Sequence, residues 1–521
     1  MAGTLLLLWW AALPSAADVV VVSPAEFHQA LNPWLEYRAR QGHRLALVSN
    51  TESAGEIRRQ IRELSQAGQL RFVVLVGDAT PGPTGDPAAT ARSVPVHLAQ
   101  AKVNVAWGSE PLLATDNWYA DLDDDQIPEL AIGRLTARSP AELQQIVAKI
   151  LAYERSRNFG LWRRQLNFVA GVGGFGPLAD MVLESAARYF LTQNIPAAYR
   201  TSMTQANWRS PYCPDPRRFQ STTLQRLNEG AWFWVYLGHG HPLGLDRLRV
   251  PGGEYPILSA QDVPRLNSAH AAPIALFLSC YAGAIDMPPD CLAKQMLRQP
   301  GGPVAVVAGS RVTMPYAMSV LAVGLMDEVF RKRSATLGEA LLKAKQHMVK
   351  GPAEGDQQRA MLDSIAAAIS PAPSQLAAER LEHVLLFNLI GDPLLRLRYP
   401  QEVKLEVAAH AAAGRPLRVS GFSPVDGRAT IELVVPRGRL SFTPPPRREY
   451  PQTSGELSEF QEIYRRANNA RLASVEVPVH AGRFEAQLHV PPEASGECHV
   501  VVYVEGEEDF ALGAAEVEIR Q

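Results

Sequence analysis

The 521-residue chain lacks the features that would assign it to several specialised classes of protein. Its 51 Lys and Arg residues nearly balance 53 Asp and Glu residues, and no basic stripe with interleaved aromatic residues occurs, so we expect no nucleic-acid partner. Its four cysteines are too few for a disulfide scaffold. Beyond the N-terminal residues no run of about 18 apolar residues occurs, so we expect no membrane span in the mature chain.

The composition is that of a globular protein, with 46% hydrophobic and 20% charged residues. A chain of this length is expected to contain roughly two to four domains. Residues 1–17 contain an apolar stretch, Leu5–Leu13, followed by small residues. This pattern predicts a signal peptide, and hence a secreted, periplasmic or cell-surface protein, although a buried first strand or helix is the alternative.

Strands and helices alternate through most of the chain, which predicts an α/β fold with a mostly parallel sheet. We expect an N-terminal α/β subdomain over residues 18–138 and a larger, catalytic α/β subdomain over residues 139–398. Residues 399–521 contain short β-branched segments separated by Gly and Pro, which predicts a C-terminal β-sandwich.

Two short apolar strands of the second subdomain end in residues that can carry chemistry. Residues 232–240 (WFWVYLGHG) run into His239, and residues 274–280 (IALFLSC) run into Cys280. The carboxyl ends of strands in an open α/β sheet are where ligands bind, so both side chains are expected at one edge of the sheet. A cysteine attacks as its thiolate, and a nearby histidine can accept the thiol proton and later donate it to the leaving amine.

Each of these assignments has an alternative. A cysteine that ends a core strand is usually inert packing, and the second strand ending in Gly-His-Gly is what favours catalysis here. His241 competes with His239 as the base, but only His239 has a glycine on both sides. The backbone amides of Gly240 and Cys280 are candidates for stabilising a developing oxyanion.

An acidic run forms a second candidate site. Carboxylates at Asp121, Asp123 and Asp125, followed by Glu129, can converge their oxygens on a hard cation such as Ca²⁺. The spacing is not that of an EF-hand loop, because Gln126 stands where glycine is expected. A solvated acidic turn is the alternative, but so many like charges on a short turn repel one another unless they are neutralised.

Two further patterns carry less weight. Residues 171–176 (GVGGFG) match the dinucleotide-binding fingerprint, but no acidic residue ends a second strand near residues 194–200, so we interpret them as a loop at the sheet edge. If Cys280 is a free nucleophile, the other three cysteines can form at most one bridge. A bridge between Cys213 and Cys291 is possible, but the sequence does not establish it.

At these residues the chain resembles the gingipain-like cysteine peptidases over roughly residues 18–398. The resemblance rests on segments spread along the chain, each of which is weak alone. They are Val76 to Asp78, Asp116 to Asp125, Glu129 to Arg134, Gly238 to Gly240, Ser279 and Cys280 with Gly283, and Gly391 to Pro393.

The resemblance implies a caspase-type α/β fold with a Cys/His dyad, followed by an immunoglobulin-like β-sandwich. It implies that Cys280 is the nucleophile and His239 the base. It also implies calcium bound by Asp125, Glu129 and the backbone carbonyl of Ile127, whereas Asp121 and Asp123 come from the spacing alone. Tyr316 falls near the position where the family places an aromatic wall of the primary specificity pocket.

The sequence departs from the arginine-specific members of that family at two acidic positions. The acid that supports the histidine there corresponds to Val172 here, and the acid that reads a basic substrate side chain has no clear match, with Asp180 and Glu184 only nearby. A preference for Arg or Lys therefore does not transfer.

These observations predict an exported, calcium-stabilised, monomeric cysteine endopeptidase that hydrolyses protein or peptide substrates through an acyl-enzyme. Two alternatives stay open. One is a catalytically inactive surface or adhesion protein on the same scaffold, and the other is a processing peptidase for exported proteins.

Overall fold

The computed structural model describes residues 17–51, 53–80, 87–172, 194–352, 356–451 and 453–521. Residues 1–16 of the predicted signal peptide lie outside the described residues, as do Asp180 and Glu184. Within the described parts of the chain, no helix is long and apolar enough to cross a membrane.

A ten-stranded sheet forms the centre of the molecule, and its order is β10-β9-β11-β16-β17-β18-β8-β3-β1-β2. Most of these strands are fully buried runs of Val, Ile, Leu and aromatic residues, as expected for strands covered on both faces. The strands are β1 (Val19–Ser23), β2 (Leu45–Ser49), β3 (Phe72–Val76), β8 (Ala131–Leu135), β9 (Gln165–Ala170), β10 (Arg200–Gln205), β11 (Phe233–Leu237), β16 (Ile274–Leu278), β17 (Ala305–Gly309) and β18 (Phe387–Ile390).

The sheet consists of two parallel halves that run in opposite directions. Within the described residues every neighbouring pair is parallel except β17 and β18, which pair antiparallel with Val306 opposite Ile390 and Gly309 opposite Phe387. Strands from the two predicted α/β subdomains therefore join in one sheet. The carboxyl ends of β11, β16 and β17 share an edge with the amino ends of β18 and β8. The proposed domain limits themselves stay predictions.

Helices flank this sheet, and several of them start at a residue whose side chain caps the first turn. Ser139 accepts a hydrogen bond from the Glu142 amide with Pro140 in the first turn, which starts the long helix that precedes β9. The helices are α1 (His28–Arg40), α2 (Ala54–Ser65), α3 (Pro87–Ala91), α4 (Pro140–Arg155), α5 (Phe219–Asn228), α6 (Leu292–Arg298), α7 (Pro315–Met326), α8 (Leu337–Val349), α9 (Gln357–Ile369), α10 (Leu376–Leu386) and α11 (Ser454–Ala467).

The loops around the sheet contain short strands that pair locally. They are β4 (Asp78–Thr80) with β5 (Ser93–Pro95), β6 (His97–Gln100) with β7 (Leu112–Thr115), β12 (Gly240–His241) with β13 (Gly244–Leu245), and β14 (Arg247–Val250) with β15 (Gly253–Pro256).

The C-terminal region consists of two sheets that share one apolar core. One sheet has the order β19-β27-β26-β23-β24, with β21 also paired to β27, and the other has the order β20-β22-β25. Alternate residues of both sheets, such as Val419, Ile431 and Val500, point into the common core. The strands are β19 (Gln401–Glu402), β20 (Lys404–Val407), β21 (His410–Ala412), β22 (Pro416–Phe422), β23 (Gly427–Val434), β24 (Arg471–Val479), β25 (Arg483–His489), β26 (Gly496–Glu505) and β27 (Phe510–Arg520).

Specific polar contacts join the C-terminal sheets to the central one. Arg164 and Glu432 form an ion pair at 2.6 Å with both side chains nearly inaccessible to solvent. Helix α11, which the sequence analysis did not anticipate, lies against β10, where the Tyr464 and Thr204 hydroxyls are 2.8 Å apart. The sandwich is thus attached through buried polar groups as well as apolar packing.

Several residues of the family-like segments are buried structural groups. The guanidinium of Arg134, fully buried, forms a two-point contact with the Asp116 carboxylate at 2.6 and 2.8 Å. The Asp392 carboxylate, also fully buried, accepts hydrogen bonds from Trp34 Nε1 (2.5 Å) and Arg38 Nη2 (2.6 Å). These motif residues therefore hold helix α1 and the Asp116 loop against the half of the sheet that contains β18 and β8.

All four cysteines are free thiols, so Cys213 and Cys291 do not form the bridge considered above. Both thiols are buried, and burial raises the pKa of Cys213 to about 12 and that of Cys291 to about 11. Neither is expected to react at neutral pH.

Candidate active site

His239 and Cys280 follow adjacent strands in matched register. In the parallel pair β11 and β16, Leu237 lies opposite Leu278, and the Gly238 amide donates to the Leu278 carbonyl at 3.2 Å. Two residues further along each strand stand His239 and Cys280, both half-buried. The structure therefore brings the two side chains to the same edge of the sheet on neighbouring strands.

Gly240 makes the backbone approach between these two strand ends sterically feasible. A Cβ atom at this position would lie 2.6 Å from the carbonyl oxygen of Cys280 and 2.8 Å from Ser279 Oγ. Both separations are far below van der Waals contact, so only glycine fits. The loop that carries His239 is thus held directly against the segment that carries Cys280.

Tyr236 fixes the backbone of the histidine loop. Its buried hydroxyl donates to the carbonyl oxygen of His239 at 2.7 Å. The same hydroxyl occupies the space that a Cβ atom would need at Gly171 (2.4 Å) or at Gly238 (2.7 Å), and Gly238 has a φ of +155°. Gly171 of the dinucleotide-like pattern therefore serves close packing of β9 against β11, while Gly173, Gly174 and Gly176 lie outside the described residues.

The thiol of Cys280 lies against Thr313. The backbone amide of Thr313 donates to Cys280 Sγ over 3.3 Å, and Thr313 Oγ1 lies 3.7 Å from the same sulfur. An amide directed at the sulfur fixes the orientation of the Cys280 side chain. Immediately after Cys280, Tyr281 adopts a left-handed backbone with φ of 58°, a strained conformation of the kind that occurs at functional turns.

The loop around Thr313 is held by two buried groups. The amide of Met314 donates to Nε2 of His383 at 2.7 Å, while His383 Nδ1 donates to the carbonyl of Glu379. Arg311 forms an ion pair with Asp286 at 2.6 Å. These contacts fix the position of the Thr313 amide, and they were not anticipated because Thr313 lies 33 residues from Cys280 with no motif around it.

An acidic side chain, Glu110, contacts the residue that follows Cys280. The hydroxyl of Tyr281 donates to Glu110 Oε2 at 3.0 Å, and Glu110 is 3.6 Å from the Arg311 guanidinium. No sequence motif marks Glu110, which belongs to a loop of the N-terminal half.

Tyr316 stands at the start of α7, three residues after Thr313. It is nearly buried, its hydroxyl donates to Asp363 at 2.7 Å, and Arg380 donates to that hydroxyl at 2.7 Å. Burial, followed by the Asp363 carboxylate, raises the pKa of Tyr316 to about 12. Its hydroxyl is therefore committed to internal hydrogen bonds, and its role in a specificity pocket stays a prediction.

The competing histidine, His241, lies on the small hairpin formed by β12 and β13 and is exposed. Its ring lies over Gly244, where a Cβ atom would come within 3.2 Å of His241 Cε1. His241 is thus directed along the hairpin.

The acidic turn precedes β8, at the sheet edge that also carries the ends of β11 and β16. Each of Asp121, Asp123 and Glu129 offers a carboxylate oxygen within 4.8 Å of the others. Partial burial of the carboxyl, and then the neighbouring carboxylates, raise the pKa of Glu129 even though the Leu122 amide donates to it. A cation would remove this repulsion, so the oxygen-only donor set fits Ca²⁺.

Asp125 is not part of that cluster. Its carboxylate is exposed and accepts a hydrogen bond from the Ile127 amide at 2.7 Å, which tightens the turn. Arg58 pairs with Asp121 at 3.2 Å and with Asp124 at 2.7 Å, so arginine already neutralises part of the turn. The ligand roles of Asp125 and of the Ile127 carbonyl stay predictions from the resemblance.

Val172 stands where the resemblance places an acid that supports the histidine. Its side chain is half-buried and packs against the apolar core. This side chain offers the histidine no hydrogen bond. The two alternative acids, Asp180 and Glu184, lie outside the described residues.

Comparison with known proteins supports the resemblance. The model of peptidase family C25 matches residues 12–398. Lys-gingipain of Porphyromonas gingivalis is 23% identical over 293 residues, which cover 54% of this chain and 15% of that protein. Lys-gingipain W83 of the same species is 28% identical over 148 residues, covering 26% of this chain and 7% of that protein. The chain thus spans only a small part of these relatives.

Solved structures show the same fold at lower identity. The Arg-specific cysteine proteinase gingipain R (RgpB) superimposes with a TM-score of 0.54 at 14% identity, covering 98% of this chain and 99% of that one. The complex of the pro- and mature domains of Porphyromonas gingivalis RgpB gives the same score, covering 97% and 100%. Because the family model spans most of the sequence and this fold spans nearly all of it, the chain belongs to peptidase family C25.

Proposed function

We propose that this chain is a cysteine endopeptidase in which Cys280 is the nucleophile and His239 the general base. The observation that carries the proposal is the matched register of β11 and β16, together with the close approach of Gly240 to the Cys280 carbonyl. Adjacent parallel strands are about 4.8 Å apart, so groups that follow equivalent residues project into one cleft.

In the proposed reaction, His239 removes the proton from Cys280 Sγ, and the sulfur attacks the scissile carbonyl carbon. The Thr313 amide, 3.3 Å from the sulfur, orients the thiolate before attack. The imidazolium then gives its proton to the leaving amine, which leaves a thioester acyl-enzyme. Water activated by His239 hydrolyses the thioester and restores the thiol.

Charge that develops on the substrate oxygen needs donors, and we assign the amides of Gly240 and Cys280 to this role. The absence of a side chain at Gly240 supports the assignment, because nothing then shields its amide from a substrate carbonyl. Tyr316 is proposed as a wall of the pocket for the substrate side chain that precedes the scissile bond.

The acidic turn is proposed to hold a structural Ca²⁺ through Asp121, Asp123 and Glu129, with Asp125 and the Ile127 carbonyl as further candidates. The ion would supply positive charge that removes carboxylate repulsion, and it takes no part in the bond-breaking steps. Export through the N-terminal apolar stretch is part of the same proposal, and the substrates would be proteins or peptides met outside the cytoplasm by a monomeric enzyme.

Peptide-library cleavage combined with labelling by a thiol-directed covalent probe tests the assignment of the nucleophile. We expect Cys280→Ala to abolish both signals and Cys291→Ala, which removes a buried thiol, to keep both. Full cleavage by Cys280→Ala would overturn the proposal.

The substitution of an acid by Val172 favours a second candidate, a non-catalytic surface or adhesion protein. Such a protein would cleave no member of the library, and its Cys280 would react no faster than free cysteine. A processing peptidase would differ from the first proposal only in its substrate, since the same dyad would act.

A further inference from the structure

Three metal-ligating side chains gather on the C-terminal sandwich, far along the chain from the proposed dyad. They are Glu497, His499 and Glu516, which we call the His499 cluster. In the antiparallel pair β26 and β27, His499 lies directly opposite Glu516, and Glu497 is two residues before His499 on the same strand. The alternation of a strand places all three on one face. One ligand atom from each lies within 4.8 Å of the other two.

The surroundings of the cluster distinguish it from an ordinary polar surface. Cys498, Val500 and Val517 point to the opposite face and are buried in the sandwich core, so both strands are rigidly held. On the same face as the cluster, Val501 and Tyr503 are buried against the central α/β unit. His499 itself is half-buried and lines the cleft between the two units.

The negative charge of this face is not compensated by side-chain ion pairs within the described residues. Glu518 lies opposite Glu497, which adds a third carboxylate to the same small area. Of the arginines that line the same cleft, Arg439 directs its guanidinium to the main-chain carbonyls of Glu497 and Ser495. Arg164 and Arg471 pair with Glu432. Like charges directly across two strands are destabilising, so a bound cation would relieve the repulsion.

We propose that the His499 cluster binds a divalent transition-metal ion of the Zn²⁺ class. An imidazole with two carboxylates suits Zn²⁺ and its neighbours, whereas Ca²⁺ prefers a shell of oxygens alone. Three protein ligands leave a fourth position for water, and the two glutamates, which are exposed, can turn their carboxylates inward to complete the site. The cluster shares no residue with the proposed dyad, and the proposed metal binding does not depend on catalysis.

Zinc binding by the full chain tests this inference. The experiment uses the Cys280→Ala variant, so that the half-buried thiol cannot bind zinc, and a Ca²⁺ excess to occupy the acidic turn. Isothermal titration with Zn²⁺ should show one site with a dissociation constant of about 1 μM or below. His499→Ala and Glu516→Gln should each weaken binding at least about tenfold.

Glu518→Gln is the matched control, since it removes an exposed carboxylate that lies on the same strand and face, opposite Glu497, but is not one of the three converging ligands. It should change the dissociation constant less than about threefold. Unchanged zinc binding in His499→Ala would overturn the inference. So would a loss in Glu518→Gln as large as in Glu516→Gln, because general charge attraction would then explain the binding. Thermal unfolding of each variant without zinc confirms that the sandwich is intact.

Discussion

The backbone amide of Thr313 donates a hydrogen bond to the sulfur of Cys280 across 3.3 Å. Thirty-three residues separate them, and the contact exists because the loop after β17 folds over the carboxyl end of β16. A half-buried thiol supported by a main-chain donor is placed for reaction, whereas the thiols of Cys213 and Cys291 are sealed in the core.

The amide of Thr313, rather than its hydroxyl, is expected to support the sulfur. Thr313→Val keeps the backbone donor and the shape of the side chain while removing Oγ1. Alkylation of Cys280 by iodoacetamide should slow less than about tenfold, since one neutral hydrogen bond contributes about 1 kcal/mol. A loss near a hundredfold, in a variant with unchanged thermal unfolding, would assign the main support to the hydroxyl.

His383 should make the fold sensitive to acid. Its burial lowers its pKa from 6.5 to about 4, so the imidazole stays neutral in the folded protein while the unfolded chain takes up a proton below about pH 6.5. Stability is therefore lost as the pH falls from about 6.5 towards 4. Glu379 acts in the opposite direction, because burial raises its pKa to about 7 and its protonation favours the folded state.

Urea unfolding of wild type and His383→Gln at several pH values isolates the contribution of His383 to the pH dependence of stability. The His383→Gln variant retains the contribution of Glu379. The difference in the free energy of unfolding between wild type and this variant should therefore shrink as the pH falls below about 6.5. A difference that stays constant across that range would contradict the assignment of a neutral buried imidazole.

The effect of Glu129→Gln on thermal stability should change sign when calcium is added. Without calcium its carboxylate is destabilised by partial burial and by Asp123, Asp121 and Asp125, so its raised pKa means a stability cost above about pH 4.5. Glu129→Gln removes this cost and keeps an acceptor for the Leu122 amide. The variant should match or exceed wild type in thermal stability with chelator present, and fall below it with Ca²⁺ added.

The control for this calcium-dependent stability effect is Asp125→Asn, since Asp125 lies outside the three-oxygen cluster. A smaller loss of calcium-induced stabilisation in Asp125→Asn than in Glu129→Gln would favour the cluster seen in the structure over the ligand set implied by the family resemblance. Equal stability of wild type with calcium and with chelator would remove the calcium assignment.

The buried pair of Arg134 and Asp116 should be structurally indispensable. Asp116→Asn leaves a fully buried guanidinium without its counter-charge, which costs about 3–5 kcal/mol in the free energy of unfolding. Glu485→Gln breaks an exposed pair with Arg418 and should cost less than about 1 kcal/mol. Denaturant unfolding of both variants makes the comparison, and similar costs would contradict a structural role for the buried pair.

Much of the fold could be predicted because its strands are short buried runs bounded by Gly, Pro and polar residues. Residues 72–76 and 274–278 are strands in the structure as predicted, and helix α4 begins at the predicted cap, Ser139. The reversal of direction at β18 could not be predicted, because residue pattern does not encode the direction in which a strand enters a sheet.

Helix α11 was missed although its capping box, Thr453 with Glu456, is visible in the sequence. In the proline-rich segment before it, Arg447 donates to the carbonyls of Trp208 and Cys213 and ties that segment to the central unit. Such long-range contacts leave no local signal.

For the candidate site, the sequence could place His239 and Cys280 at strand ends, because glycines and apolar runs surround them. It could not identify Thr313, Glu110 or His383, which approach the cysteine or its loop only through tertiary structure. It also could not separate Asp125 from Asp123 as neighbours of Glu129, since the turn geometry decides which oxygens converge.

The most direct test of the account is kcat/KM for peptide hydrolysis by His239→Ala beside His241→Ala. If His239 is the base for Cys280, the first variant should lose at least about a thousandfold in kcat/KM, while the second, altered on an exposed hairpin, should lose less than about tenfold. Comparable rates for wild type and His239→Ala, or a larger loss in His241→Ala, would contradict it.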